Sequence, residues 1–147
     1  MGGIFRFLKN NKIFAILLIL IVLFIGMYTF DYLRSKTFHI EIVSISPDSP
    51  VADGETPVTI EVLITKNGKP IEGHNLYMFP VNGGTMKQNR VKTDSNGCAI
   101  FTYYPYRSTV LMPAKTINMR CYDEDNSIFV VVNAVTDFDI NLRERER

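Results

Sequence analysis

Few side chains in this chain of 147 residues could do chemistry: two histidines, two cysteines and one run of acids. His39 and His74 stand on a strand edge and beside a turn, with no spacing that pairs them as metal ligands, and both read as surface histidines. No Ser-His-Asp or Cys-His pattern can be built around Ser95 or Cys98. Cys98 and Cys121 could bridge in an oxidising compartment. Strand parity turns Cys98 away from the inward set Ala99, Phe101 and Tyr103, whereas Cys121 shares the inward face of Ile117 and Met119. Opposed side chains do not bridge without distortion, so free thiols are expected, with a one-residue bulge as the route to a bridge. Asp123-Glu124-Asp125-Asn126 clusters oxygens of the kind Ca²⁺ takes, but a hairpin tip is acidic for solvation alone, so both readings stand. Asp48, Asp53 and Glu55 offer no more. The expectation is no catalytic residue, no metal and no cofactor, in a chain that is not an enzyme.

Recognition chemistry is better represented. In FTYYPYRSTVLMP, Tyr103, Tyr104 and Tyr106 surround Pro105 and precede Arg107. Tyr and Arg are favoured at interfaces, where a rigid apolar body carries a polar tip. These four residues are the candidate interface, against the alternative of a domain end capped by its own tyrosines.

The element that must position such a surface is an anchor. Ile13 to Phe30 are 18 consecutive uncharged positions, 13 of them Leu, Ile, Val or Phe, and Ile13, Leu17, Leu20, Phe24 and Phe30 mark the run. As a helix it reaches about 27 Å, close to the hydrocarbon thickness of a bilayer. The 13 apolar side chains favour insertion by about 4–8 kcal/mol. A buried core helix would show a polar stripe, and none is present. A cleaved signal, with Lys9 and Lys12 as its basic flank, would have a shorter apolar region and an A-x-A-like site, which residues 26–32 do not offer. Arg6 stands where a myristoylation motif needs Ser or Thr. Arg6, Lys9 and Lys12 precede the span, and Arg34 and Lys36 follow it, so the bias of three against two places the N-terminus in the cytoplasm and the C-terminal domain outside. Tyr28, Phe30 and Tyr32 lie where an aromatic belt marks the outer interface.

The expected organisation is a cytoplasmic segment over residues 1–12, a transmembrane helix over 13–30, a stalk over 31–37, a β-sandwich over 38–142 and a charged tail over 143–147. A formal net charge of +1, with Lys and Arg scattered, argues against nucleic acid as a partner. Two cysteines are too few for a disulfide scaffold.

Past the stalk the pattern alternates. Val58, Ile60, Val62 and Ile64 share one face against Thr59, Glu61 and Thr65, a period of two rich in β-branched residues. Asn67-Gly68, Gly83-Gly84 and Asp94-Ser95-Asn96-Gly97 punctuate it as turns. Strands are expected at Phe38–Ile45, around Leu76 and Met78, at Ala99–Tyr103 and Ile117–Cys121, with the last at Ile128–Val135. About seven short strands with one apolar face each predict an all-β, two-sheet sandwich.

Four of these motifs also occur together elsewhere. Val51-Ala52-Asp53-Gly54, Asn67-Gly68-Lys69-Pro70-Ile71-Glu72-Gly73, Gly83-Gly84-Thr85-Met86 and Thr93-Asp94-Ser95-Asn96-Gly97-Cys98-Ala99 resemble, in order and spacing, bacterial Ig-like domains of the invasin/intimin type. The likeness covers about residues 38–142. It implies an Ig-like sandwich and a non-catalytic role; its motifs are architectural and carry no binding residue across. Relatives string several such domains behind an outer-membrane barrel, and this sequence departs from both features.

The functional expectation is a membrane-anchored, extracytoplasmic structural or interaction subunit that docks on another cell-envelope assembly. Its partners would be the lipid bilayer and other membrane or envelope proteins, with self-association open. The alternative is a surface adhesin or ligand-binding module.

Overall fold

In the computed structural model, which describes residues 12–145, one helix leads into two packed sheets. The expected cytoplasmic segment, apart from Lys12, and the last two residues of the charged tail lie outside the described residues. Helix α1 (Lys12–Ser35) has no polar stripe, and most of its apolar side chains from Ile13 to Phe30 are exposed. By length and composition it can cross a membrane. It continues through residues 31–35 of the expected stalk.

Nine strands follow: β1 (Phe38–Ser46), β2 (Val58–Lys66), β3 (Lys69–Pro70), β4 (Asn75–Pro80), β5 (Thr85–Met86), β6 (Arg90–Lys92), β7 (Cys98–Tyr104), β8 (Thr116–Asp123) and β9 (Val135–Asn141). One sheet runs β1-β2-β7-β5, with β3 paired to β2; the other runs β6-β4-β8-β9. All pairings between named strands are antiparallel. The period-two faces meet as the alternation requires. Val58, Ile60, Val62, Ile64, Ala99, Phe101 and Tyr103 from the first sheet pack on Leu76, Met78, Ile117, Met119 and Cys121 from the second. This is the all-β sandwich behind a helix that the sequence indicated.

Turn chemistry fixes the connections. Asn67 (φ 51°) and Gly68 (φ 77°) both take left-handed backbone between β2 and β3, as a tight hairpin demands. The Asp94 carboxylate accepts the amides of Asn96 and Cys98 at 2.8 and 2.9 Å, pinning the turn into β7.

The last strand needs correction. Ile128–Val135 is not a strand: residues 124–134 form a loop, and β9 begins at Val135. In β9, Thr136, Phe138 and Ile140 lean inward while Asp137 and Asp139 face solvent. The more apolar Ile128–Val132 run has a different use, at the joint with α1.

Candidate functional site

The domain has two ends, and strand direction tells them apart. β8 runs from Thr116 to Asp123, and its Asp123 end leads into the loop that meets α1. Seven steps along a strand span about 23 Å, which separates the loops at the two ends of β8. The end near α1 is the proximal end; the loops at residues 81–84 and 105–115 lie at the distal end.

The proximal end is built around Asp31, whose carboxylate is fully buried. Its Oδ1 accepts the Ile128 amide at 3.0 Å and its Oδ2 accepts the amides of Phe129 and Val130 at 2.7 and 2.5 Å. One turn on, Arg34 Nε donates to the Asn126 carbonyl at 2.7 Å, and its guanidinium lies over the Phe38 ring. The Phe30 ring meets Phe129 edge-on, with centroids 5.7 Å apart. Fully buried Asn126 holds the loop in shape: it donates to the Val132 carbonyl and accepts the Ala134 amide. Sequence reasoning missed this joint. The available signal was an acid in the last turns of a helix, where the macrodipole disfavours it unless donors compensate.

Beside the joint, His74 departs from its reading as a surface histidine. It is half-buried, and its Nδ1 lies 2.8 Å from Oδ2 of fully buried Asp123. Burial pushes the Asp123 carboxyl above the usual carboxylate range, against the opposing pull of the Asp125 amide and the His74 ring. The acidic tip considered for Ca²⁺ uses its oxygens internally. Asp123 also accepts the Asp125 amide, Asp125 accepts the Asn75 amide and side chain, and Glu124 pairs with Arg90. Among the described residues no cluster of three or more metal-ligating side chains occurs.

The candidate interface splits. Tyr103 is corrected to a core residue: it is fully buried on β7, with its hydroxyl donating to the Gly83 carbonyl at 3.0 Å. Burial raises its phenol pKa. Tyr104 and Tyr106 are half-buried and Arg107 is exposed, all at the distal end. The Tyr106 hydroxyl donates to the Pro113 carbonyl at 2.7 Å, so its ring braces the loop whose tip is Val110-Leu111-Met112. Leu111 is 97 % exposed. Arg107 bridges backbone to Asp53, whose carboxylate takes the Thr56 hydroxyl and the amides of Glu55 and Thr56. Those bonds, the Thr56 hydroxyl first, hold the Asp53 carboxyl down at about 2.

Both thiols are free. Cys98 lies on the outer face of one sheet and Cys121 on the inner face of the other, as the parity argument required. Burial pushes the Cys121 thiol up to about 12 and also raises that of Cys98.

No protein-family model matches the chain, and no curated protein matches it. Solved structures do. A C-terminal intimin fragment, in complex with the intimin-binding domain of the translocated intimin receptor, is 20% identical with a TM-score of 0.51, over 69% of this chain and 33% of that one. The D0-D1 domains of intimin are 18% identical with a TM-score of 0.49, over 74% and 50% of the two chains. A conjugative transposon lipoprotein from Bacteroides eggerthii is 21% identical with a TM-score of 0.47, over 73% and 99%. The chain thus spans a third to a half of the intimin structures it matches. The part that follows the apolar helix thus has an Ig-like sandwich fold, similar to that of the intimin fragment.

Proposed function

We propose that this chain is a membrane-anchored interaction module of the cell envelope. Helix α1 spans the bilayer from a cytoplasmic N-terminus, and the sandwich presents its distal end to another envelope protein. The observation that carries this reading is the placement of the Val110-Leu111-Met112 tip at the end of the domain opposite α1, braced from beneath by Tyr106 and flanked by Tyr104 and Arg107. An apolar tip held by its own hydrogen bonds meets a partner at little ordering cost. Tyr and Arg beside it supply the composition of an interface centre. A structure of similar fold, the intimin fragment, is itself held in a protein complex. Asp31 and Arg34 fix the domain to its anchor, so the distal end reaches only partners near the bilayer.

The test is gentle detergent extraction of the full chain carrying a photo-crosslinking residue at Leu111. The expected result is a discrete crosslinked adduct with another envelope protein, lost on Tyr106→Ala, which releases the tip. Recovery as a clean monomer with no adduct from either the tip or Arg107 overturns the reading. The adhesin alternative differs in outcome: the domain from Phe38 onward would bind a soluble or foreign ligand without its helix.

A further inference from the structure

We infer that the loop Ile128-Phe129-Val130-Val131 is a second membrane contact, an apolar finger that rests in the outer lipid interface beside the span. This inference depends on the proposed reading of α1 as a bilayer-spanning helix.

Three observations converge on it. First, the loop is apolar and uncovered: Ile128 and Phe129 are exposed, and Val131 is 84 % exposed. A soluble loop would not turn three such residues out of four towards water. Second, its height is fixed. Phe129 packs edge-on against Phe30, the last residue of the apolar run, and three successive loop amides hydrogen-bond Asp31, the next residue along the helix. Wherever Phe30 meets the edge of the hydrocarbon, Phe129 meets it too. At the same level of the helix Tyr28 and Tyr32 stack on each other, and Lys36 Nζ lies 5.0 Å from the Tyr32 ring centre, the arrangement of an aromatic and basic interfacial belt. Third, four of the loop's amides are satisfied within the protein. Irregular backbone enters lipid only where its polar groups are satisfied. Asp31 satisfies the donors of Ile128, Phe129 and Val130, while Val132 donates its amide to Ser127 Oγ and its carbonyl accepts from Asn126. The carboxylate that joins helix to domain is thus also what lets the finger lie in lipid. Two contacts fix the domain's tilt on the membrane, where a helix alone leaves it free to swing.

The chain has no tryptophan, so single reporters can be introduced. The full-length protein carrying Val131→Trp is reconstituted in phosphatidylcholine vesicles whose acyl chains are brominated either near the headgroup or near the bilayer centre. Tyr28→Trp reports on the span and Leu111→Trp on the distal end. The expected result is blue-shifted Val131→Trp emission, quenched by the shallow bromines far more than by the deep ones, with Leu111→Trp unshifted and unquenched. Ile128→Trp repeats the reading at a second loop position. Loop reporters that behave like Leu111→Trp while Tyr28→Trp is quenched overturn the inference and leave the span reading standing. If Tyr28→Trp is also unquenched, the span reading fails and the finger fails with it.

Discussion

The carboxylate of Asp31 accepts the backbone amide of Phe129 at 2.7 Å, across 98 residues of sequence. With the neighbouring amides of Ile128 and Val130 it forms a joint in which a helix end is held by the domain that it carries. Removing the carboxylate leaves three amide donors without their acceptor. Asp31→Ala is expected to speed amide exchange at residues 128–130 by about tenfold or more, while exchange in β2 and β7 stays unchanged. Hydrogen exchange of the full-length protein in micelles, read by mass spectrometry, checks this.

Gly84 lies against the ring of Tyr103: a Cβ there would fall 2.3 Å from the phenol oxygen, on a backbone with φ of +81°. Gly84→Ala is expected to destabilise the domain by about 1–3 kcal/mol through overpacking, with backbone strain added. Tyr103→Phe loses only the bond to the Gly83 carbonyl, about 0.5–1.5 kcal/mol. In a Tyr103→Leu background Gly84→Ala should cost less, because the clash is gone; urea unfolding of the four proteins measures the coupling.

These two residues show how far the sequence could be read. Gly83-Gly84-Thr85 was legible as a turn and as part of an Ig-like pattern, and Tyr103 as an inward position of β7, because both are local signals. That they touch is not local, so Tyr103 also reads as part of an exposed tyrosine cluster. The strands with clean alternation, β2, β7 and β8, were readable because each buries one face. β9 was misplaced because Ile128-Phe129-Val130-Val131-Val132 outweighs Thr136, Phe138 and Ile140 in apolar mass, although the latter alternate with Asp137 and Asp139. The apolar run is spent on the joint with α1. Asp31 with Phe129 and His74 with Asp123 join residues 98 and 49 apart, and nothing in the local pattern of either partner announces the other.

The thiols should separate by burial. Native protein is expected to react with maleimide at Cys98 and not at fully buried Cys121, whose thiol is pushed up to about 12. Both react in denaturant without a reductant. Intact mass after labelling reads the count, and failure of both thiols to label in denaturant would mean a bridge.

Stability should carry two opposed acid signatures. Asp53 has a folded pKa of about 2 against 3.8 unfolded, so its contribution is present above 3.8 and lost as pH falls towards 2. Asp53→Asn removes that decline. Asp123 is shifted the other way by burial, so its contribution is present below 3.8 and lost as pH rises through the higher folded value. Asp123→Asn should flatten the curve on the neutral side of 3.8. Thermal unfolding of the two variants from acid to neutral pH separates the effects.

The anchor and its orientation are tested together by treating intact cells with a membrane-impermeant maleimide, then washing their membranes at alkaline pH. The chain should stay in the membrane pellet at its full-length mass and carry label on Cys98 from the outside. Release into the soluble fraction, loss of the residues before Phe38, or labelling only after the cells are opened would contradict an anchored, outward-facing domain.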